Sequence, residues 1–171
     1  MSSLLDRLRG PGDWVRLLIL SFGGLGLAPI ASGTFGTLGG IILAVPAVYL
    51  PFFPYWVWLL LLSLVCLAFG VALGPWAEAF FGLKDPGAIV IDEVAGYLIT
   101  VSIFALGTGR ILDWWGHLVA FLLFRMADIL KPPPGRKLEV LPGGWGVMLD
   151  DMAVALYSGG GLLFAGLLGW L

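Results

Sequence analysis

The stretch AIVIDEVAGYLITV, residues 88–101, sets two adjacent carboxylates, Asp92 and Glu93, inside a run that is otherwise apolar. The run is continuous rather than alternating, which suits a helix in lipid and not a strand. Roughly 20 apolar residues cross about 30 Å of hydrocarbon as a helix, and 89–108 has that length. Three more stretches approach it, 55–74, 112–130 and 152–171, and a fifth, 35–53, is interrupted by Pro46. Residues 14–31, rich in glycine and carrying Arg16 and Pro29, fit an interfacial or re-entrant helix better than a span. With 60% hydrophobic and 12% charged residues, the chain has too few polar side chains to cover a water-soluble globule. The fold expected is an all-α polytopic membrane bundle of about five transmembrane helices with an N-terminal interfacial or re-entrant helix, a single domain over 1–171. The N-terminal segment has no convincing small-residue cleavage site and is expected to be retained.

Threading the five spans as a zigzag sorts the charges. Arg7, Arg9, Arg16, Lys84, Arg125, Lys131, Arg136 and Lys137 fall on or near one face, with Arg110 at the other. The positive-inside rule makes the crowded face cytoplasmic. Asp85, Asp92, Glu93, Asp128, Glu139, Asp150 and Asp151 fall on that face too, and Asp113 lies opposite. Carboxylates from three helices are therefore expected at one depth, near an interface, where the cost of a charge is below the roughly 2.5–3.5 kcal/mol of the bilayer centre.

Helix-starting acids can be explained by the helix dipole alone, and Asp92 with Glu93 and Asp150 with Asp151 each invite that reading. In LLFRMADILKPPPGRK, however, Arg125, Asp128 and Lys131 recur at i, i+3 and i+6 on a helix that Pro132–Pro134 ends. Three such ends facing one side fit a shared polar pocket. Carboxylate oxygens without His or Cys suit a hard cation such as magnesium (Mg2+), which keeps waters and takes one or two carboxylates plus phosphate. Arg125 and Lys131 can meet phosphate, the first through paired hydrogen bonds and the second as a point charge. Asp92, Glu93, Asp128, Asp150 and Asp151 are thus the candidate metal-binding and catalytic residues. Adjacent residues on a helix point about 100° apart, which favours one ligand from each pair, Asp92 and Asp150 slightly ahead of their neighbours. In APIASGTFGTLGG, Ser32, Thr34 and the nearby backbone N–H groups can line the same pocket or cradle an anion such as the substrate phosphate, whereas Gly33, Gly36, Gly39 and Gly40 also suit close helix packing, the reading that leads for the last two. LPGGWG, 141–146, reads as a flexible approach to Asp150. Cys66 and His117 lie in apolar runs away from the acids; Cys66 is expected to be a small lipid-facing or packed side chain and His117 a packed or interfacial one.

The segments GLAPIASGTFGTLGG, DPGAIVIDEVAG, LLFRMADILKPPPGRKLE and GGWGVMLDDMAVALY, taken in order, resemble the phosphatidylglycerophosphatase A family of bacterial membrane lipid phosphatases. The resemblance implies magnesium-dependent removal of the terminal phosphate from phosphatidylglycerol phosphate at the cytoplasmic face of the bacterial inner membrane. It marks Asp85, Asp92, Glu93, Arg125, Asp128, Lys131, Asp150 and Asp151 as motif positions, Asp85 in a supporting place. Ala155, where the pattern usually has Gly, and Glu139, where Asp is frequent, depart from it. The partners implied are the lipid substrate and the bilayer, with no nucleic acid. The rival reading is a cation or proton-coupled transporter, which predicts acids spread through the membrane depth or broken helices meeting at its middle.

Overall fold

The computed structural model describes residues 8–171; Arg7 and the start of the N-terminal segment expected to be retained lie outside the described residues. The described residues form helices joined by short loops, with no strand among them. In chain order these are α1 (Pro11–Leu20), a 3-10 turn (Leu25–Leu27), α2 (Ser32–Ala47), α3 (Tyr55–Phe81), α4 (Ile91–Thr108), α5 (Trp114–Leu130), the single turn α6 (Gly135–Leu138) and α7 (Gly144–Leu167). Three of them, α3, α4 and α7, are long and apolar enough to cross a membrane. The other two expected spans are shorter: α2 stops at Ala47, one residue past Pro46, and α5 has 17 residues. At 1.5 Å per residue these two reach only about 24–26 Å.

Two further boundaries move from where the apolar runs placed them. α3 continues through Pro75 to Phe81, ending at Gly82 in the left-handed conformation. α7 begins at Gly144, not near 152, so Asp150 and Asp151 sit in its second turn and half of the 141–146 loop is already helical. Residues 14–31 do not span. α1 buries Leu17 and Leu20 and exposes Val15 and Leu18, and the segment after it is tied to the start of α4 by the Val90 N–H donating to the Leu20 carbonyl at 3.0 Å.

α4 is the axis of the bundle, buried along most of its length, with α2, α3, α5 and α7 against it. Contacts set the directions. Ser63 bonds to the Ala95 carbonyl and Ser102 to the Trp56 carbonyl, so α3 runs antiparallel to α4. Gly96 lies against the Asp151 carbonyl and the Thr100 and Ser158 hydroxyls meet at 2.7 Å, so α7 runs parallel to it. Glu93 lies beside Arg125 and Tyr97 meets His117 at 2.8 Å, so α5 runs antiparallel. Gly40 faces Tyr97 as Gly36 faces Val90, so α2 is parallel. The starts of α2, α4 and α7 and the end of α5 therefore share one end of the molecule.

Between apolar helices in lipid, close packing of small residues replaces the hydrophobic drive available in water. Gly96 on α4 shows this at the site end: a Cβ there would come 2.6 Å from the Phe124 ring and 3.1 Å from the Asp151 carbonyl oxygen. Among the glycines at 159–161, only Gly159 is pressed against a neighbour, Ile103. Cys66 is buried, which makes it packed and not lipid-facing. At the end of the bundle away from the acids, exposed Tyr49, Phe52, Phe53, Trp114, Trp115 and Trp170 form a girdle, the arrangement aromatic rings adopt at a membrane interface. Asp113, the acid at that end, caps α5 by accepting from the Gly116 N–H at 2.8 Å.

Candidate active site

The DEV sequence opens α4, so Asp92 and Glu93 occupy its first turn. Because α7 starts six residues before Asp150, its second turn carries Asp150 and Asp151 to the same level. Asp92, Glu93 and Asp151 each offer one carboxylate oxygen, and the three oxygens lie within 4.8 Å of one another. Both members of the first pair thus join one cluster, with a single member of the second. That member is Asp151 rather than Asp150, which the sequence slightly favoured. Helix rotation explains the choice in α7: adjacent side chains point about 100° apart, so Asp150 meets Lys131 while Asp151 joins the cluster.

The cluster is deep. Asp92 is 6% exposed and Asp151 2%, and Asp92 Oδ1, Glu93 Oε2 and Asp151 Oδ2 are buried with no hydrogen-bond partner among the described residues. Buried carboxylates that face one another without donors repel and are expensive to hold charged. A hard divalent cation offsets both costs, and the donor set, all carboxylate oxygen, is the kind magnesium takes. His117 is engaged with Tyr97, away from this end, and adds nothing a softer metal would prefer.

Cations flank the cluster on two sides, each already engaged. Arg125 Nη1 donates to Asp128 Oδ2 at 2.6 Å and lies 3.8 Å from Glu93 Oε1, leaving other guanidinium donors free of hydrogen bonds among the described residues. Lys131 Nζ bonds to Asp150 Oδ2 at 2.7 Å and to Glu139. Lys131 does not continue the Arg125–Asp128 stripe. It is the C-cap of α5 with φ +44°, a left-handed backbone that turns its side chain toward α7. Burial works against its charge, but the bonds to Asp150 and Glu139 outweigh that and hold its pKa above the ordinary lysine range. Asp150 Oδ1 accepts from the Asp151 N–H at 2.9 Å, so Lys131, Asp150 and Asp151 form a connected rail into the cluster. Asp85 lies in the α3–α4 loop at the edge of the site, where partial burial of its carboxyl, with Glu139 and Asp128 nearby, raises its pKa against the pull of Lys131.

The α2 start closes the site. Ser32 lies beside Gly87 of the α3–α4 loop, and Thr34 is half-buried; neither side chain makes a hydrogen bond among the described residues. The closer approach comes from two glycines whose role in the site the residue pattern did not reveal. A Cβ on Gly33 would strike the Glu93 carboxylate and stand 2.7 Å from Arg125 Nη1. One on Gly36 would stand 2.6 Å from Val90 Cβ and 3.2 Å from Glu93 Oε2. Their three-residue spacing puts both on one helical face, a signal shared with ordinary packing glycines. Gly33→Ala is expected to lower kcat/KM about tenfold by displacing the Glu93–Arg125 pair, a small positional error being costly at a reacting centre. The melting temperature should move little, because the struck groups are ends of flexible side chains. Steady-state rates and a thermal melt check this together.

The comparisons with known proteins agree with one another. The family model described as phosphatidylglycerophosphatase A matches residues 18–166. A phosphatidylglycerophosphatase A of Escherichia coli (strain K12) is 37% identical over 94% of this chain and 88% of its own length. One of Haemophilus influenzae is 38% identical over 84% of this chain and 83% of its own. A putative phosphatidylinositol-3-phosphatase of Bacteroides thetaiotaomicron is 34% identical over 79% and 83%. No solved structure matches the chain.

Proposed function

The chain belongs to the phosphatidylglycerophosphatase A family, and from that premise we propose that it is a magnesium-dependent enzyme acting at the cytoplasmic membrane face. As a family member it is a phosphoric monoester hydrolase, a phosphatidylglycerophosphatase. The observation that carries the metal reading is the Asp92–Glu93–Asp151 cluster with its three unpartnered buried oxygens. The cytoplasmic placing is supported by the gathering of Lys84, Arg125, Lys131, Arg136 and Lys137 at the site end.

Asp92, Glu93 and Asp151 would hold the cation, with Asp128 and Asp150 acting through their basic partners. A bound magnesium ion would polarise the phosphoryl oxygens and offset charge developing on them. Arg125 then presents its unused N–H groups to the phosphomonoester while Asp128 and Glu93 fix its plane. Lys131, held in place by Asp150 and Glu139, supplies a second positive charge from the other side. An acceptor such as Asp151 Oδ2 can orient a water for in-line attack, and the departing oxygen leaves on the lipid as the glycerol hydroxyl. Transfer to water puts solvent oxygen into the released phosphate. With a substrate whose terminal phosphorus is made chiral by sulfur and oxygen-isotope substitution, a single displacement by water is expected to invert the configuration at phosphorus; retention would mark two displacements through a carboxylate nucleophile.

The transporter alternative needs acids through the membrane depth. Here Thr100, Ser102 and Ser158 are the buried polar groups farther along α4 and α7, all hydrogen-bonded. The test is inorganic phosphate released from phosphatidylglycerol phosphate by purified protein in detergent. Release is expected with magnesium, abolished by excess chelator and restored by adding the metal back. No release under any of these conditions would overturn the enzyme reading.

A further inference from the structure

Beside the acid cluster lies a cavity of about 440 Å³, bounded by the α3–α4 loop, α6 and the first turns of α7. Asp150 forms its inner wall, and Lys84 and Arg136 stand at it with Asp85, Glu139 and Val140. Asp150 also bonds to Lys131 and accepts from the Asp151 N–H, so the inner wall of this cavity is the outer wall of the metal cluster. A headgroup with its phosphomonoester at the cluster extends naturally into this space.

The two outer cations differ from the inner ones. Arg125 and Lys131 are each tied to carboxylates, whereas Lys84 and Arg136 form no ion pair among the described residues, although three carboxylates share the cavity with them. Arg136 makes one hydrogen bond, through Nη2 to the Leu130 carbonyl at 3.3 Å, which leaves most of its fork open. Lys84 carries none. Both are exposed, and they are accompanied by exposed Leu83 and Val140. Cations beside exposed aliphatic side chains at the end of a helix bundle suit the depth where lipid phosphates lie.

We propose that Lys84 and Arg136 bind the second phosphate of the substrate, the phosphodiester that joins the headgroup to diacylglycerol. This inference rests on the phosphatase reading above and adds a specificity site to it. Four cations then divide the labour. Arg125 and Lys131 address the phosphate that leaves, and Lys84 and Arg136 address the phosphate that stays. The enzyme so built distinguishes a lipid carrying both phosphates from an isolated phosphomonoester, and it orients the scissile end by gripping the other.

The test uses the full chain in detergent with magnesium, and the variants Lys84→Gln, Arg136→Gln and their double. Each single substitution is expected to raise KM for phosphatidylglycerol phosphate about tenfold, the worth of one charge-assisted hydrogen bond, with kcat within twofold. The Ki for phosphatidylglycerol, which keeps the diester and lacks the monoester, should rise in parallel, while the Ki for inorganic phosphate stays where it was. Lys84→Arg and Arg136→Lys should recover most of the loss, which a general disturbance of the fold would not allow. An unchanged KM and phosphatidylglycerol Ki, or a fall in kcat at constant KM, overturns the proposal. Failure of the unsubstituted protein to release phosphate would count instead against the enzyme reading itself.

Discussion

Asp92→Asn, Glu93→Gln and Asp151→Asn, made one at a time, should each lower kcat for phosphate release by about a thousandfold, the few kcal/mol that a metal contributes to a phosphoryl transition state. Each of the three residues brings a carboxylate oxygen within 4.8 Å of the others and carries one buried oxygen without a hydrogen-bond partner among the described residues, so losing any one charge weakens the same cation site. The amides fill the same volume, and removing one of three mutually repelling charges relieves strain on the helix ends. The variants should therefore melt at or above the temperature of the unsubstituted protein. This split between lost activity and kept stability separates a functional cluster from a structural one. Asp150→Asn gives a different pattern. It loosens Lys131 without touching the cluster directly, so its loss should be about tenfold to a hundredfold and should appear partly in KM.

The second large effect is on stability. α3 and α7 cross where Gly70 and Gly74 meet Gly144. A Cβ on Gly144 would run into the Gly70 carbonyl oxygen and stand 2.7 Å from Val71 Cα. Those obstacles are backbone atoms, so no rotamer change can yield and the helices must separate. Gly144→Val is expected to cost about 3 kcal/mol and to lower the melting temperature in detergent by about 8 °C. It should also cost activity, since α7 carries Asp150 and Asp151 one and a half turns beyond the crossing. Gly160→Ala is the matched control: nothing stands within 4 Å of its would-be Cβ, and alanine is the better helix former. Its melting temperature should hold or rise slightly. Equal melting of the two variants would show that the crossing does not set stability.

Much of this was legible in the residues because lipid imposes length and continuity on a helix, and an acid in such a run needs a reason. The gathering of Asp92, Glu93, Asp128, Asp150 and Asp151 at one end followed from counting spans and tracking direction. Which acid faces which did not, because it depends on where each helix starts. Placing the last span at 152 made Asp150 and Asp151 look like a helix entrance, whereas a start at Gly144 rotates Asp151 inward and Asp150 toward Lys131. Lys131 itself is removed from its helical stripe by a left-handed backbone that residue spacing does not announce. Gly33 and Gly36 share the small-residue spacing of Gly39 and Gly40, and the residue pattern, which put packing first for the last two, did not show that the first two border the site. Only the tertiary arrangement separates the glycines that admit Glu93 and Arg125 from those that admit Phe22 and Tyr97.

The central claim is that Asp92, Glu93 and Asp151 form one divalent-cation site. Manganese, a paramagnetic stand-in for magnesium with the same preference for oxygen, reports on it directly in the absence of any substrate. Titrated into purified protein and followed by the loss of the free-ion electron paramagnetic resonance signal, it should bind to the unsubstituted chain, compete with magnesium, and lose at least about tenfold in affinity in each of the three single variants. Binding that is unchanged in Asp92→Asn, Glu93→Gln and Asp151→Asn would contradict the account.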